Sequence, residues 1–162
     1  MRQISLLAVT ILALALASCT VSFDGGSQDS KAINAGTAEQ QKSIIAAAHQ
    51  VIDLLDQERF DEAWSTAGPM LQGQASRTAF ASGIKTMRDS LGAPSHRKIK
   101  GFNFPSVLDG VKGDFGIIGI ETDFANANAV QEKLVFQRVD GEWKLAGYWL
   151  TKKVTFGAST PN

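Results

Sequence analysis

The dipeptide Asp140-Gly141 constrains this chain more than any other feature of it. It separates two segments, 129–139 and 143–154, in which apolar and polar residues alternate, and such a setting is the strongest short-range signal for a two-residue β-hairpin. A loop of two residues also fixes the register. Arg138 then faces Trp143, Phe136 faces Leu145, Leu134 faces Gly147 and Glu132 faces Trp149. One face of the hairpin carries Leu134, Phe136, Trp143, Leu145 and Trp149, and it requires a covering layer. The other carries Gln131, Lys133, Gln137, Lys144 and Lys152, which want water, around an apolar island of Val135, Ala146, Tyr148 and Leu150. An antiparallel sheet tolerates one wet face. The island is therefore either scattered exposure or, in the sharper reading, a self-association patch built on Val135, Tyr148 and Leu150.

Helical spacing supplies the covering layer. Thr37-Ala-Glu-Gln40 has the form of a capping box. Ile44, Ala48, Val51 and Leu55 follow it at helical intervals, which predicts a first helix to about residue 56. A second, shorter helix begins at Phe60 and stops before Gly68-Pro69. The third starts after Ser76, with Phe80, Ile84, Met87 and Leu91 on one face, and Gly92 and Pro94 end it. Beyond His96 the pattern turns to strands at 97–104 and 114–124. The glycines of Gly113-Asp-Phe-Gly-Ile-Ile-Gly119 lie inside a strand pattern with no helix after them, so they indicate a bent or bulged strand, not a phosphate-binding loop. Helices followed by an antiparallel sheet give an α+β class, with N-terminal helices packed on a curved sheet of about four strands. This order of elements resembles the nuclear-transport-factor-2-like cone; a cystatin-like arrangement is the alternative.

The first residues belong to a different category. Arg2 is the only charge before Asp24, and residues 4–16 form an apolar run that ends in small residues. This is the build of a secretory signal, and it is too short for a membrane anchor, which takes about 20 apolar residues. Its end, Leu16-Ala17-Ser18-Cys19, resembles the lipobox of bacterial lipoproteins. That resemblance implies cleavage before Cys19, lipidation of its thiol and new amine, and attachment to a membrane. Cys19 is also the only cysteine, so no internal disulfide competes for it. Thr20, in place of Asp, implies the outer membrane over the inner one, facing the periplasm. The expected organisation is a removed signal at 1–18, a lipidated cysteine and flexible tether at 19–36, one domain at 37–156 and a loose tail at 157–162. A coil of the tether's length reaches roughly 23 Å.

The residues of the domain also resemble a known bacterial family. Asp53-Leu-Leu-Asp56 through Phe60-Asp-Glu-Ala-Trp64, Leu91-Gly92 with Arg97, Glu132-Lys-Leu-Val135, and the ending Asp140-Gly-Glu-Trp-Lys-Leu-Ala-Gly-Tyr148 are similar to the exported proteins of unknown function called DUF4019. The resemblance spans roughly residues 40 to 150, with Phe80 where the family pattern often has Trp. It implies the fold and an envelope location, and it brings no established activity and no catalytic residues.

Chemistry is sparse. With 16 basic and 16 acidic residues the chain has no bulk positive charge to hold nucleic acid, and no nucleic-acid partner is expected. Two histidines, His49 and His96, and one cysteine supply no metal-ligand spacing, so neither metal nor other cofactor is expected. Ser95 and His96 are neighbours on a strand and point to opposite faces. Candidate acid/base residues are Glu132, Asp123 and Glu121, because a carboxylate inside a cone is pushed toward a useful pKa by burial. The competing reading makes each a rim carboxylate paired with a lysine or arginine. Acidic Asp53, Asp56, Glu58, Asp61 and Glu62 near the end of the first helix, and basic Arg97, Lys98 and Lys100 on the first strand, either pair or are separately solvated. The leading expectation is a lipid-tethered domain that binds an envelope protein or a small molecule, or pairs with itself through the outer sheet face. The alternative is a cone-fold enzyme with a cavity carboxylate.

Overall fold

A computed structural model of the chain describes residues 33–152. The expected signal segment, Cys19, most of the tether and the tail from 153 onward lie outside the described residues. Four helices, α1 (Ala38–Asp56), α2 (Phe60–Ser65), α3 (Pro69–Gln74) and α4 (Arg77–Leu91), precede six strands. These are β1 (Pro94–Asn103), β2 (Val107–Leu108), β3 (Val111–Lys112), β4 (Phe115–Phe124), β5 (Ala127–Val139) and β6 (Glu142–Thr151). Strands β1-β4-β5-β6 form one open antiparallel sheet in that order, and β2 and β3 form a separate two-stranded ribbon. The α+β expectation, helices first and then a four-stranded sheet, holds.

Local chemistry places the helices. Thr37 caps α1 through its hydroxyl, which accepts from the Gln40 N–H at 3.1 Å, while Gln40 Oε1 accepts from the Thr37 N–H at 2.8 Å. Pro69 does not merely stop the second helix: it opens α3 from the first turn, where a missing N–H costs nothing. Asn34, expected in the tether, is already fastened to the sheet. Its carbonyl accepts from Phe104 N–H at 2.8 Å and its side-chain amide donates to Phe104 O at 3.0 Å. The core lies between α1, α2 and α4 and one face of the sheet, with Ile44, Ala48, Leu55 and Ile84 against Ile118, Leu134, Phe136 and Leu145.

The hairpin register departs from the sequence expectation at one residue. From Asp140-Gly141 the pairs run as predicted, Arg138 with Trp143 and Phe136 with Leu145. A bulge between Val135 and Phe136 then inserts one extra residue in β6. Val135 pairs with Gly147, Leu134 with Tyr148, Lys133 with Trp149 and Glu132 with Leu150. One inserted residue exchanges the faces beyond it. Tyr148 and Leu150, expected on the outer face, point to the helices, and Trp149, expected in the core, is 46% exposed on the outside. The proposed patch of Val135, Tyr148 and Leu150 is therefore not a single surface; Val135 keeps the outer face.

Gly147 makes the new arrangement possible. A Cβ there would sit 2.1 Å from Trp149 Cη2, so the indole lies over the bare glycine, with Lys133 Nζ 4.5 Å from its centroid. Gly147→Ala is expected to lower stability by about 1–3 kcal/mol through this clash. Urea unfolding of the variant in wild-type and Trp149→Ala backgrounds checks the cause, because the penalty must vanish once the ring is gone.

Candidate functional site

Six side chains, one from each of α1, α4, β1, β4, β5 and β6, meet where the helices cross the sheet. At their centre is Glu132, 0% exposed. The strand alternation that points Leu134 and Phe136 at the helices points Glu132 there too. An unpaired carboxylate so placed would be prohibitive, and both its oxygens accept hydrogen bonds accordingly. Thr122 Oγ1 donates to Glu132 Oε1 at 2.5 Å and Tyr148 Oη donates to Oε2 at 2.5 Å. Arg97 Nε donates to Oε1 at 3.2 Å, and Arg88 Nη1 lies 3.5 Å from Oε2.

Asp56, the last residue of α1, closes the other side. It receives both Nη1 and Nη2 of Arg97, at 2.7 and 2.8 Å, and Arg88 Nη2 as well. This fork-on-carboxylate geometry is the strong form of an ion pair. Arg88 also donates to Tyr148 Oη at 3.1 Å. Two guanidinium groups thus balance two carboxylates, and a phenol and a hydroxyl complete the donor count. Burial works against the charge of Arg97, but its hydrogen bond to Asp56 and the fields of Glu132 and Asp56 outweigh that and hold its pKa above the ordinary value. Burial comes first for Tyr148, and the adjacent Glu132 charge adds to it; together they drive the phenol far above its ordinary value.

The other acid/base candidates have structural partners. Glu121 faces outward, 3.5 Å from Lys100 Nζ and accepting from Gln131 Nε2 at 3.0 Å. Its pKa is lowered, chiefly by the Gln131 hydrogen bond. Asp123 accepts from the Ala129 N–H at 2.8 Å and so ties the β4–β5 turn. Neither shares the Glu132 site. Trp149, expected beside Glu132, is on the opposite face because of the bulge.

Arg88 and Thr122 escaped the sequence reading. The signal was present in α4: Phe80, Ile84, Arg88 and Leu91 are the buried positions, whereas Met87, taken for the apolar stripe, is partly exposed. Arg88 occupies a core position by helical spacing. Of the two opposite-charge clusters, only Asp56 and Arg97 join.

The concavities lie around this network, not inside it. One of them, about 770 Å³, runs between α1 and the β5–β6 hairpin, with Ala46, Ala47, Val51 and Leu54 on the helix side and Trp143, Lys144 and Leu145 on the strand side. Small residues in α1 keep it open. Trp143 stands at its edge, fixed by an Nε1 hydrogen bond to Ser43 Oγ at 2.9 Å and by Arg138 4.2 Å above its ring. Among the described residues no group of three His, Cys, Asp or Glu side chains is arranged to hold a metal, and no helix is long and apolar enough to cross a membrane.

Two measurements follow from the network. Glu132→Ala leaves Arg88 and Arg97 facing a vacated site and is expected to cost about 3–5 kcal/mol in chemical denaturation; a loss under 1 kcal/mol would show that the carboxylate is dispensable. Tyr148 is the only tyrosine, so its titration can be followed by absorbance without interference. Its folded pKa is raised, so this contribution to stability is intact below about pH 10 and declines above it, as the unfolded chain ionises and the folded one does not. Phenolate absorbance should therefore appear only together with unfolding. A smooth titration near pH 10 in folded protein would remove Tyr148 from the buried network.

No curated protein matches this chain. A family model, described as a protein of unknown function (DUF4019), matches residues 47–148, a span that contains all six residues of the network and the Asp140-Gly141 hairpin. Since that span is well over half of the sequence, the chain belongs to the DUF4019 family of proteins of unknown function.

Proposed function

We propose that this chain is a lipid-anchored binding domain of the bacterial cell envelope, facing the periplasm from the outer membrane and carrying out no reaction of its own. The observation that supports a binding role is that the buried carboxylate and the groove between α1 and the hairpin do not coincide. The carboxylate best placed for catalysis, Glu132, is fully enclosed, with both oxygens committed to protein donors. The groove of about 770 Å³ is lined instead by an apolar floor and by polar side chains on its rims, which is the composition of a recognition site. The lipid anchor is supported by the N-terminal sequence: one basic residue, an apolar run, and Leu16-Ala17-Ser18 before the sole cysteine. Two or more acyl chains on Cys19 suffice for stable anchoring where one does not.

For a protein partner or a second copy, the outer sheet face offers the exposed Trp149 in place of the expected Tyr148 and Leu150, while Val135 on the same face is buried. The groove remains the better-formed surface.

Both parts of the reading can be tested in cells. Cys19→Ser should abolish fatty-acid labelling and leave uncleaved precursor; a variant that is still labelled rules out the anchor. A photo-crosslinking amino acid at Gln50, exposed at the groove, should capture a discrete adduct by intact mass, whereas the same residue at Asp61, outside it, should not. Equal capture at both positions, or none at either, would rule out the groove as a binding site.

A further inference from the structure

One wall of the groove between α1 and the hairpin is backbone. β6 ends the four-stranded sheet, so one of its edges has no strand beside it. The ladder decides which peptide groups face that edge. Arg138 donates its N–H to the Asp114 carbonyl at 2.8 Å, on the β4 side, so Trp143, its partner in β6, turns its own N–H and C=O away from β5. Leu145, two residues on, faces the same way, and its carbonyl accepts from the Gly68 N–H at 2.9 Å. Gly68 is extended, at φ −77° and ψ 166°, and so already pairs with this edge as an added strand would. The pairing stops there. Among the described residues nothing takes up the N–H or C=O of Trp143, which lines the groove.

The helix opposite that edge leaves room for a chain. Ala46, Ala47, Gln50 and Leu54 share one face of α1 and line the groove. Ala46 is exposed and Ala47, Leu54 and Trp143 are half-buried, so a side chain can lie on them, whereas Val51 and Leu145 are closed beneath. The rim cations are engaged within the protein: Arg59 with Glu62, Arg138 with Asp114 and Lys144 with Glu142. None is left over to select an anionic ligand, and the free hydrogen-bonding groups of the wall are those of a peptide. The opposite edge of the sheet is guarded. β1 has two breaks of register and exposes His96, Lys98 and Lys100, the devices that keep a foreign strand away.

We propose that the groove takes a short extended segment of a partner polypeptide, which adds to β6 opposite Trp143, antiparallel, as a fifth strand of the sheet. Antiparallel addition lets one residue of the segment satisfy both the N–H and the C=O of Trp143. That residue points its side chain toward α1, as Trp143 does, so alternate apolar side chains fall on Ala46, Ala47 and Leu54. This inference rests on the groove being a recognition site and names the class of its partner. A second copy of the chain is a poor occupant: Gly68 covers the edge at Leu145, so two β6 edges would share little beyond Trp143.

The test is amide NMR on the chain from Thr20 onward, which contains every described residue. The probe is the blocked, uncharged peptide acetyl-Thr-Val-Thr-Val-Thr-amide, titrated to about 10 mM. It should shift the Trp143, Ala46 and Ala47 amides, slow hydrogen exchange at Trp143, and leave Ile84 in place. Two N-methylated copies of the probe isolate the backbone bonds. Valines that face α1 turn their N–H groups to β6, so methylation at the valines should weaken binding about tenfold, and methylation at the threonines should be tolerated. Ala46→Trp, at an exposed helix position, should fill the groove and weaken the unmodified probe about tenfold, with Ile84 unmoved. No shift at Trp143, equal effects of the two methylations, undiminished binding by Ala46→Trp, or self-association through Trp143 in the absence of probe would each overturn the proposal. Capture at Gln50 in cells with no shift at Trp143 would remove the added strand alone, whereas loss of both would remove the groove with it.

Discussion

The rest of this fold depends on a carboxylate that has no access to water. Glu132 occupies a strand position whose neighbours, Leu134 and Phe136, are core residues, and it is tolerated there because five other side chains are brought to it and to each other. Each comes from a different element, so the network fixes the ends of α1 and α4 relative to all four strands at once. Desolvation makes such a network costly to form and more costly to break. A helix displaced by one turn would leave a buried charge without a partner, and that penalty selects a single packing arrangement among the alternatives apolar contacts alone would allow.

The same network determines where function can reside. It fills the space that an open cone would leave for a ligand, with Phe136, Leu145 and Tyr148 packed alongside. Open space survives at the margins, among other places toward the hairpin, where Ala46 and Ala47 are too small to fill it, and toward β1, where the sheet ends. Arg97 links the interior to the second of these. Its Nε reaches Glu132 and its Nη atoms reach Asp56, so the guanidinium that lines the cleft is positioned by the core.

The bulge in β6 shows how a local departure redirects a surface. The Asp140-Gly141 turn sets the register as far as Phe136 and Leu145, and pattern reading is accurate that far. Past Ala146 the faces exchange. Tyr148 reaches Glu132, which needs its hydroxyl, and Trp149 moves outside onto Gly147. The clue in the sequence is faint: Leu145-Ala-Gly-Tyr148 does not alternate cleanly, and either register buries an aromatic ring. Satisfying the buried carboxylate favours the bulged one, and no count of apolar residues contains that information.

By itself the sequence determined the main elements and their order, the capped first helix, α2, most of the stripe of α4, the four long strands and the hairpin, but neither α3 nor the β2–β3 ribbon, because the former rest on regular patterns between residues close along the chain. It also singled out Glu132 as an acidic residue on an apolar face, and placed Asp56 and Arg97 in clusters of opposite charge. Tertiary structure alone decided that Arg88 and Thr122 join them, that Tyr148 and not Trp149 faces the helices, and that the concavities lie beside the buried charges. Those outcomes depend on which distant groups must share one desolvated space, a cost that exists only once the helices and the sheet have closed over it.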